Sequence, residues 1–267
     1  MTLDATRAAT PVDGRDPLVV KLGGTTLREQ QDVLREIVEE RRRRPVVVIH
    51  GGGKRLTDWL TRLGVESRFE SGRRVTDEAT LEVFLAVMGG VINAELTVEL
   101  LALGADAVGL RGIDGASIRG TRAEGLGLVI AEPEADGALL ETLLAAGRLP
   151  VLAPMGLDRE GHVCNINADD AAAAVSAALG GELVLLTDTD GVRDAAGQRV
   201  EELTPDEAEA LIASGVIAGG MVPKVRSALR ALRPGSRAAR AVIADGRALA
   251  ALHRALHEGS GTEFRIA

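Results

Sequence analysis

Val46-Val47-Val48-Ile49-His50-Gly51-Gly52-Gly53 is a β-branched run that stops in three consecutive glycines. The run has the length and composition of a buried strand. Three glycines in a row lose much conformational entropy on folding, and a plain strand–helix turn rarely needs them. Directly after a strand they let backbone N–H groups come close to an anion at a helix start. The same arrangement occurs earlier, where Leu18-Val19-Val20-Lys21-Leu22 runs into Gly23-Gly24. Two later turns complete the set, Asn165-Ile166-Asn167-Ala168-Asp169 and Gly219-Gly220-Met221-Val222-Pro223-Lys224. Glycine turns at strand ends, with two lysines far apart in sequence, read as a phosphate-handling site in an α/β protein. It is not a Walker P-loop, because no G-x-x-x-x-G-K-[ST] occurs.

Outward from these strands the pattern alternates. Val33, Leu34, Ile37 and Val38 stand at helical spacing and predict a helix over residues 29–42. The arginines at 41–44 read as its solvated end, where cations suit the helix dipole; a nucleic-acid contact is the lesser reading. Residues 54–63 form a second helix. Residues 77–103 form a long third one, broken by Gly89-Gly90, where a kink or a close helix crossing is expected. Its wide apolar surface suits a dimer interface and plain core packing equally. Strands are expected at 105–110, 149–153, 183–186 and 240–243, and a β-hairpin within 112–130. Further helices are expected at 168–179, 223–232 and 248–256. Another starts at Thr204, where Pro205 and Glu207 complete a capping box. Strands alternating with helices give an α/β fold with a mostly parallel sheet covered on both faces. Residues 1–16 read as a loose tail.

Composition narrows the function. The chain has 267 residues, 46% of them hydrophobic and 1% aromatic, so a large core must be aliphatic. A net charge of −8 argues against nucleic acid or an anionic membrane as partner. One cysteine, Cys164, excludes an internal disulfide and a cysteine-based zinc site, in keeping with a reducing cytoplasm. No run of consecutive apolar residues approaches about 18, so no transmembrane helix is expected, and the N-terminus has no signal-peptide pattern.

Several residues could carry chemistry. Lys21, where a strand meets a glycine turn, would hold its ammonium over the carboxyl edge of the sheet. Lys224 sits at a helix start, against the helix dipole, which hints at function over local preference. Arg74 is a candidate carboxylate clamp, although taken alone it reads as a solvated arginine. Asn165 and Asp169 precede an apolar helix, where a helix cap is the leading reading. The turn from Asp188 to Gly191 could hold a nucleotide or be a simple turn. His50 has no second histidine nearby and reads as structural.

Together these pieces resemble the amino acid kinase family. The motifs are K-L-G-G at Lys21, H-G-G-G at His50, R-V-T at Arg74, N-x-N-A-D at Asn165, T-D-x-x-G-V at Thr187 and G-M-x-x-K at Gly220. Each is weak singly, and their order is specific. The resemblance implies a three-layer αβα sandwich of two lobes. Residues 17–178 would bind the amino-acid substrate and dimerise, and residues 179–267 would bind ATP. It further implies phosphoryl transfer from ATP, with Mg2+ carried by the nucleotide, to the side-chain carboxylate of N-acetyl-L-glutamate in arginine biosynthesis. Catalysis would fall to Lys21, Lys224 and Asp169. Gly52, Gly53, Arg74 and Asn165 would bind substrate, and Gly23 and Gly24 phosphate. Asp188, Thr189, Asp190, Gly191, Val192, Arg193, Val216, Ile217 and Ala218 would contact the nucleotide. A cytoplasmic homodimer is implied, with a hexamer as the alternative. A kinase for a carrier-linked aminoadipate and a non-catalytic ligand-binding module of the same fold remain competing readings. The sequence departs from the family pattern at Thr25-Thr26, Lys54-Arg55 and Gly219, all flanking the motifs.

Overall fold

The computed structural model describes residues 16–23, 31–70 and 72–266. Gly24, Thr25, Thr26 and nearly all of the N-terminal tail lie outside the described residues. The chain begins with β1 (Leu18–Leu22), α1 (Gln31–Arg41), β2 (Val46–His50) and α2 (Gly53–Arg62). A short hairpin, β3 (Phe69–Glu70) and β4 (Arg73–Arg74), precedes a long helical run. That run is α3 (Glu78–Phe84), a π segment (Leu85–Ile92) and α4 (Asn93–Ala102). Then come β5 (Ala107–Arg111), β6 (Ile118–Arg119), β7 (Val129–Ile130), β8 (Glu134–Ala135), α5 (Ala138–Ala145) and β9 (Leu149–Ala153). A hairpin of β10 (Met155–Leu157) and β11 (Val163–Ile166) leads into α6 (Ala168–Leu179) and β12 (Gly181–Thr187). The rest is β13 (Glu202–Leu203), α7 (Pro205–Ala213), α8 (Met221–Ala231), β14 (Ala238–Asp245), α9 (Ala251–His257) and β15 (Thr262–Arg265).

The main sheet runs β13-β15-β14-β12-β1-β2-β9-β5. Its described pairs are parallel except β14 with β15. Strand β1 has β2 on one side and β12, which returns much later in the chain, on the other. The order reverses there, and a crevice opens outside the carboxyl ends of the strands. A second sheet runs β7-β11-β10-β6-β8.

Period-2 alternation sorts the main sheet onto two faces. Leu18, Val20 and Leu22 pack with α1, α4 and α9; Val19 packs with α5, α6 and α8 on the other face. Lys21 shares the parity of Val19, so its side chain lies on the α6 side. Ala171, Ala172 and Ala173 are fully buried, and their small side chains bring α6 close to β1. The core is aliphatic apart from Phe84 and Phe264.

Three expectations need correction. The segment 112–130 is not a regular hairpin: a single antiparallel bridge joins Arg122 to Ile130, with the Ala123 N–H donating to the Val129 carbonyl, while β6 pairs with β10 and β8, and β7 with β11. Gly112 lies so near the Met155 carbonyl that a Cβ there would stand 1.9 Å from it, and this close approach hands β6 to β10. The arginines at 41–44 are not a uniformly solvated helix end. Arg41 is buried and donates to the Gly147 carbonyl, and Arg44 donates to Glu182 at 2.8 Å. The run Glu78–Ala102 is long and apolar enough by composition to cross a membrane, although no run of consecutive apolar residues in it approaches about 18. Here Phe84, Val87, Met88, Ile92, Leu96 and Leu100 bury one side of it in the protein. Gly89-Gly90 produces a π segment rather than a sharp kink.

Candidate active site

Asp169 is the centre of the site. It stands in the first turn of α6, 5% exposed. Its Oδ1 lies 2.8 Å from Lys21 Nζ and its Oδ2 3.3 Å from Lys224 Nζ. Burial alone would push the carboxyl up. The charges of Lys21 and Lys224 outweigh it and hold Asp169 below the usual carboxylate range. The cap of α6 is a different residue: the Asn167 side chain accepts from the Asp169 N–H at 2.8 Å. Asn167 thus satisfies the helix start and leaves the Asp169 carboxylate for the lysines. Two ammoniums around one carboxylate keep a surplus positive charge, suited to an anion. Lys224 lies in the opening turn of α8, and Asp169 offsets its unfavourable placement.

The glycine turns border this centre. The Gly51 N–H donates to the Leu22 carbonyl at 2.9 Å, tying the two strand-end turns together. Gly52 has φ 151°, and a Cβ there would meet Ile92 Cδ1 at 2.4 Å. Gly53 begins α2, and no described atom stands within 4 Å of where its Cβ would go. At Gly23 a Cβ would stand 2.9 Å from the Leu186 carbonyl. Beneath the loop, Asn93 Nδ2 donates to His50 Nε2 at 3.2 Å, which places the ring proton on Nδ1, 3.0 Å from the Gly51 carbonyl. Burial pushes the His50 pKa down to about 4, so the ring is neutral at pH 7.

Arg74 is buried, not solvated. It donates to Ser67 Oγ at 2.6 Å and Thr57 Oγ1 at 2.7 Å, and lies 4.5 Å from the centroid of Phe69. No ion pair among the described residues engages it. A buried guanidinium held by hydroxyls and an aromatic face is poised for a carboxylate. Asn165 donates to Thr76 Oγ1 at 3.0 Å, and Thr76 in turn donates to the Arg74 carbonyl at 3.1 Å.

One cavity of about 280 Å3 is lined by Lys21, Gly52, Gly53, Arg74, Asn165, Asp169 and Lys224. Another of about 620 Å3 is lined by all nine residues expected at the nucleotide, Asp188 to Arg193 and Val216 to Ala218. A trough of about 1360 Å3 joins them: it shares Asp169 and Lys224 with the first, and Asp188 and Thr189 with the second. Gly24 lies outside the described residues. Sequence reasoning overlooked Thr57, Ser67 and the pair Asp245 and Arg247, which also line the second cavity. Asp245 ends β14 at the carboxyl edge of the sheet, a signal that could have found it.

Comparison with known proteins agrees with this geometry. The pattern of the amino acid kinase family matches residues 16–245. The acetylglutamate kinase of Rubrobacter xylanophilus is 50% identical over 185 residues, 68% of this chain and 72% of that one. That of Methanopyrus kandleri is 38% identical over 259 residues, 92% of this chain and 99% of its own. Among solved structures, N-acetylglutamate synthase from Neisseria gonorrhoeae, complexed with coenzyme A and N-acetyl-glutamate, superposes with a TM-score of 0.80 at 25% identity. That match covers 94% of this chain and 60% of the synthase. Carbamate kinase from Giardia lamblia bound to AMP-PNP shares the fold, with a TM-score of 0.68 at 17% identity, covering 95% of this chain and 99% of that one.

Proposed function

We propose that this chain, which belongs to the amino acid kinase family, transfers the γ-phosphoryl group of Mg-ATP to the side-chain carboxylate of N-acetyl-L-glutamate. The products are N-acetyl-L-glutamyl 5-phosphate and ADP, a step of arginine biosynthesis. The observation that carries the reading is Asp169, joined to Lys21 and Lys224 where the smallest of the three cavities meets the trough.

The nucleophile is the substrate carboxylate, ionised at neutral pH, so no general base is required. One of its oxygens bonds to the γ-phosphorus while the bond to the β–γ bridging oxygen breaks, and ADP leaves with that electron pair. Lys21 and Lys224 neutralise the phosphoryl oxygens, and the glycine N–H groups after β1 and β2 add donors. Arg74, supported through Thr76 by Asn165, grips the α-carboxylate and so aims the other carboxylate at the lysines. His50 is buried, hydrogen-bonded on both nitrogens and neutral, and moves no proton. Mg2+ would arrive with ATP, held mainly by the phosphate oxygens, and would supply further positive charge there. Asp169 is already engaged by two ammoniums; Asp188, held ionised chiefly by the Thr187 hydroxyl, is a further carboxylate on the trough wall.

In this reading residues 17–178 hold the amino acid and residues 179–267 the nucleotide. The protein is a cytoplasmic homodimer, paired through the outer face of Glu78–Ala102, where Val98 is 60% exposed. The test is ADP release from Mg-ATP with N-acetyl-L-glutamate, L-glutamate, L-aspartate or N-acetyl-aminoadipate. Selective turnover of the first is expected; equal turnover of all four, or none of any, contradicts the reading.

A further inference from the structure

Asp170, the neighbour of Asp169, has no part in the chemistry above, yet it is 1% exposed and carries three donors from two separate elements. Arg73 Nη2, from the β3–β4 hairpin, donates to Asp170 Oδ2 at 2.8 Å. Ser227 Oγ donates to Oδ1 at 2.6 Å and Arg230 Nη1 at 2.5 Å, both from α8. Arg73 is the residue before Arg74, and Ser227 lies one helical turn beyond Lys224. The hairpin also comes near the start of α8: a Cβ on Gly72 would stand 3.8 Å from Pro223 Cγ. Two adjacent carboxylates of α6 therefore do different work. Asp169 aligns the two lysines, and Asp170 ties together the two elements that carry Arg74 and Lys224.

A buried carboxylate between two guanidiniums is a poor source of stability, because desolvation offsets most of the attraction. The best-attested use of such groups is to fix register. We infer that Asp170 is a positioning residue: with Arg73 and Arg230 it latches the Arg74 hairpin to the Lys224 helix, so that occupation of the nucleotide cavity tightens binding in the carboxylate cavity. The assignment of ligands rests on the function proposed above; the latch itself rests on the contacts. Thermodynamic reciprocity requires that the substrate tighten the nucleotide by the same factor.

The test uses the full chain as wild type, Arg73→Met and Arg73→Lys. N-acetyl-L-glutamate is titrated calorimetrically with and without saturating Mg-ADP. In the wild type the nucleotide is expected to tighten the substrate by a factor within about 5–150. Arg73→Met brings that factor close to 1 without loss of nucleotide affinity, and Arg73→Lys retains most of it. A wild-type factor in Arg73→Met overturns the latch. Hydrogen exchange in the ligand-free proteins decides the same point without any ligand. The Val75 and Thr76 amides donate to the Arg68 and Leu126 carbonyls, and Arg73→Met is expected to speed their exchange about tenfold. Unchanged exchange also overturns the latch. Failure of the wild type to bind either ligand would refute the functional reading alone, because the exchange result still judges the latch.

Discussion

The two ends of the trough are built differently. At the proposed substrate end Lys21, Arg74 and Asp169 are buried, and Arg74 pairs with hydroxyls and an aromatic ring instead of an acid. At the proposed nucleotide end four charges stand in pairs at or near the surface, Arg193 with Asp190 at 2.8 Å and Arg247 with Asp245 at 3.0 Å, beside the exposed Asp188. A buried guanidinium that binds a carboxylate discriminates among ligands, because a ligand lacking that group leaves it unpaired. An open wall of paired charges, backbone and the buried Val192 and Ile217 recognises mostly by shape. The lesson is that specificity is concentrated where burial raises the cost of a missing partner.

This contrast can be broken from either end. The largest effect should come from the junction: Lys21→Ala and Lys224→Ala are each expected to lower turnover by about 10²–10³ with folding retained. Steady-state rates alongside circular dichroism check this, and near-normal turnover of either variant removes that lysine from the mechanism. Next comes His50 beneath the glycine loop. Its folded pKa, about 4, lies below its ordinary value of 6.5, so between those pH values the unfolded chain binds the proton and the folded one does not. Stability that His50 leaves intact at neutral pH is therefore lost as pH falls through that window, by roughly 3 kcal/mol. Denaturant titrations at pH 7.5 and pH 4.5 should show a smaller loss in His50→Gln than in the wild type; equal losses would mean the ring is not buried neutral.

Smaller again, Arg74→Ala should raise KM for N-acetyl-L-glutamate by about 10–10²-fold, the worth of hydrogen bonds to a charged group. Arg74→Lys should not restore it, since an ammonium lacks the planar fork. Full rescue by lysine would show that charge alone matters at that end. The smallest change is expected at the nucleotide end, where Arg193→Ala should alter KM for ATP by less than about fivefold, as befits an exposed pair. A larger loss would erase the distinction between the two ends.

Much of this was legible in the sequence, for identifiable reasons. Strands β1 and β2 are β-branched or aliphatic apart from Lys21 and His50, buried along their length, and their glycine ends mark the crevice. The capping box at Thr204, Pro205 and Glu207 is formed as expected. The role of Asp169 came from the family resemblance and not from the residues themselves, because Asn165, Asn167 and Asp169 are all plausible caps by type; the geometry selects Asn167 as the cap. The burial of Arg74 was hidden because Thr57 reaches it from α2 while Ser67 and Phe69 reach it from the segment entering β3. The β10–β11 hairpin was overlooked although its turn carries a local signal. Asp158 Oδ1 accepts from the Glu160 and His162 N–H groups at 2.9 and 2.8 Å, the side-chain turn that aspartate favours. Arg73 was legible as a charge and not as a tie, because Asp170 lies 97 residues away.

The most direct test of the account asks which carboxylate receives the phosphoryl group. Mg-ATP and N-acetyl-L-glutamate are turned over with hydroxylamine present, and the trapped hydroxamate is located by fragmentation mass spectrometry. If Arg74 holds the α-carboxylate and Asp169 sets the two lysines at the opposite end, the hydroxamate forms on the side chain alone. A hydroxamate on the α-carboxyl carbon would mean that the substrate sits reversed in the cavity, and that Arg74 and the lysine pair have been assigned to the wrong ends.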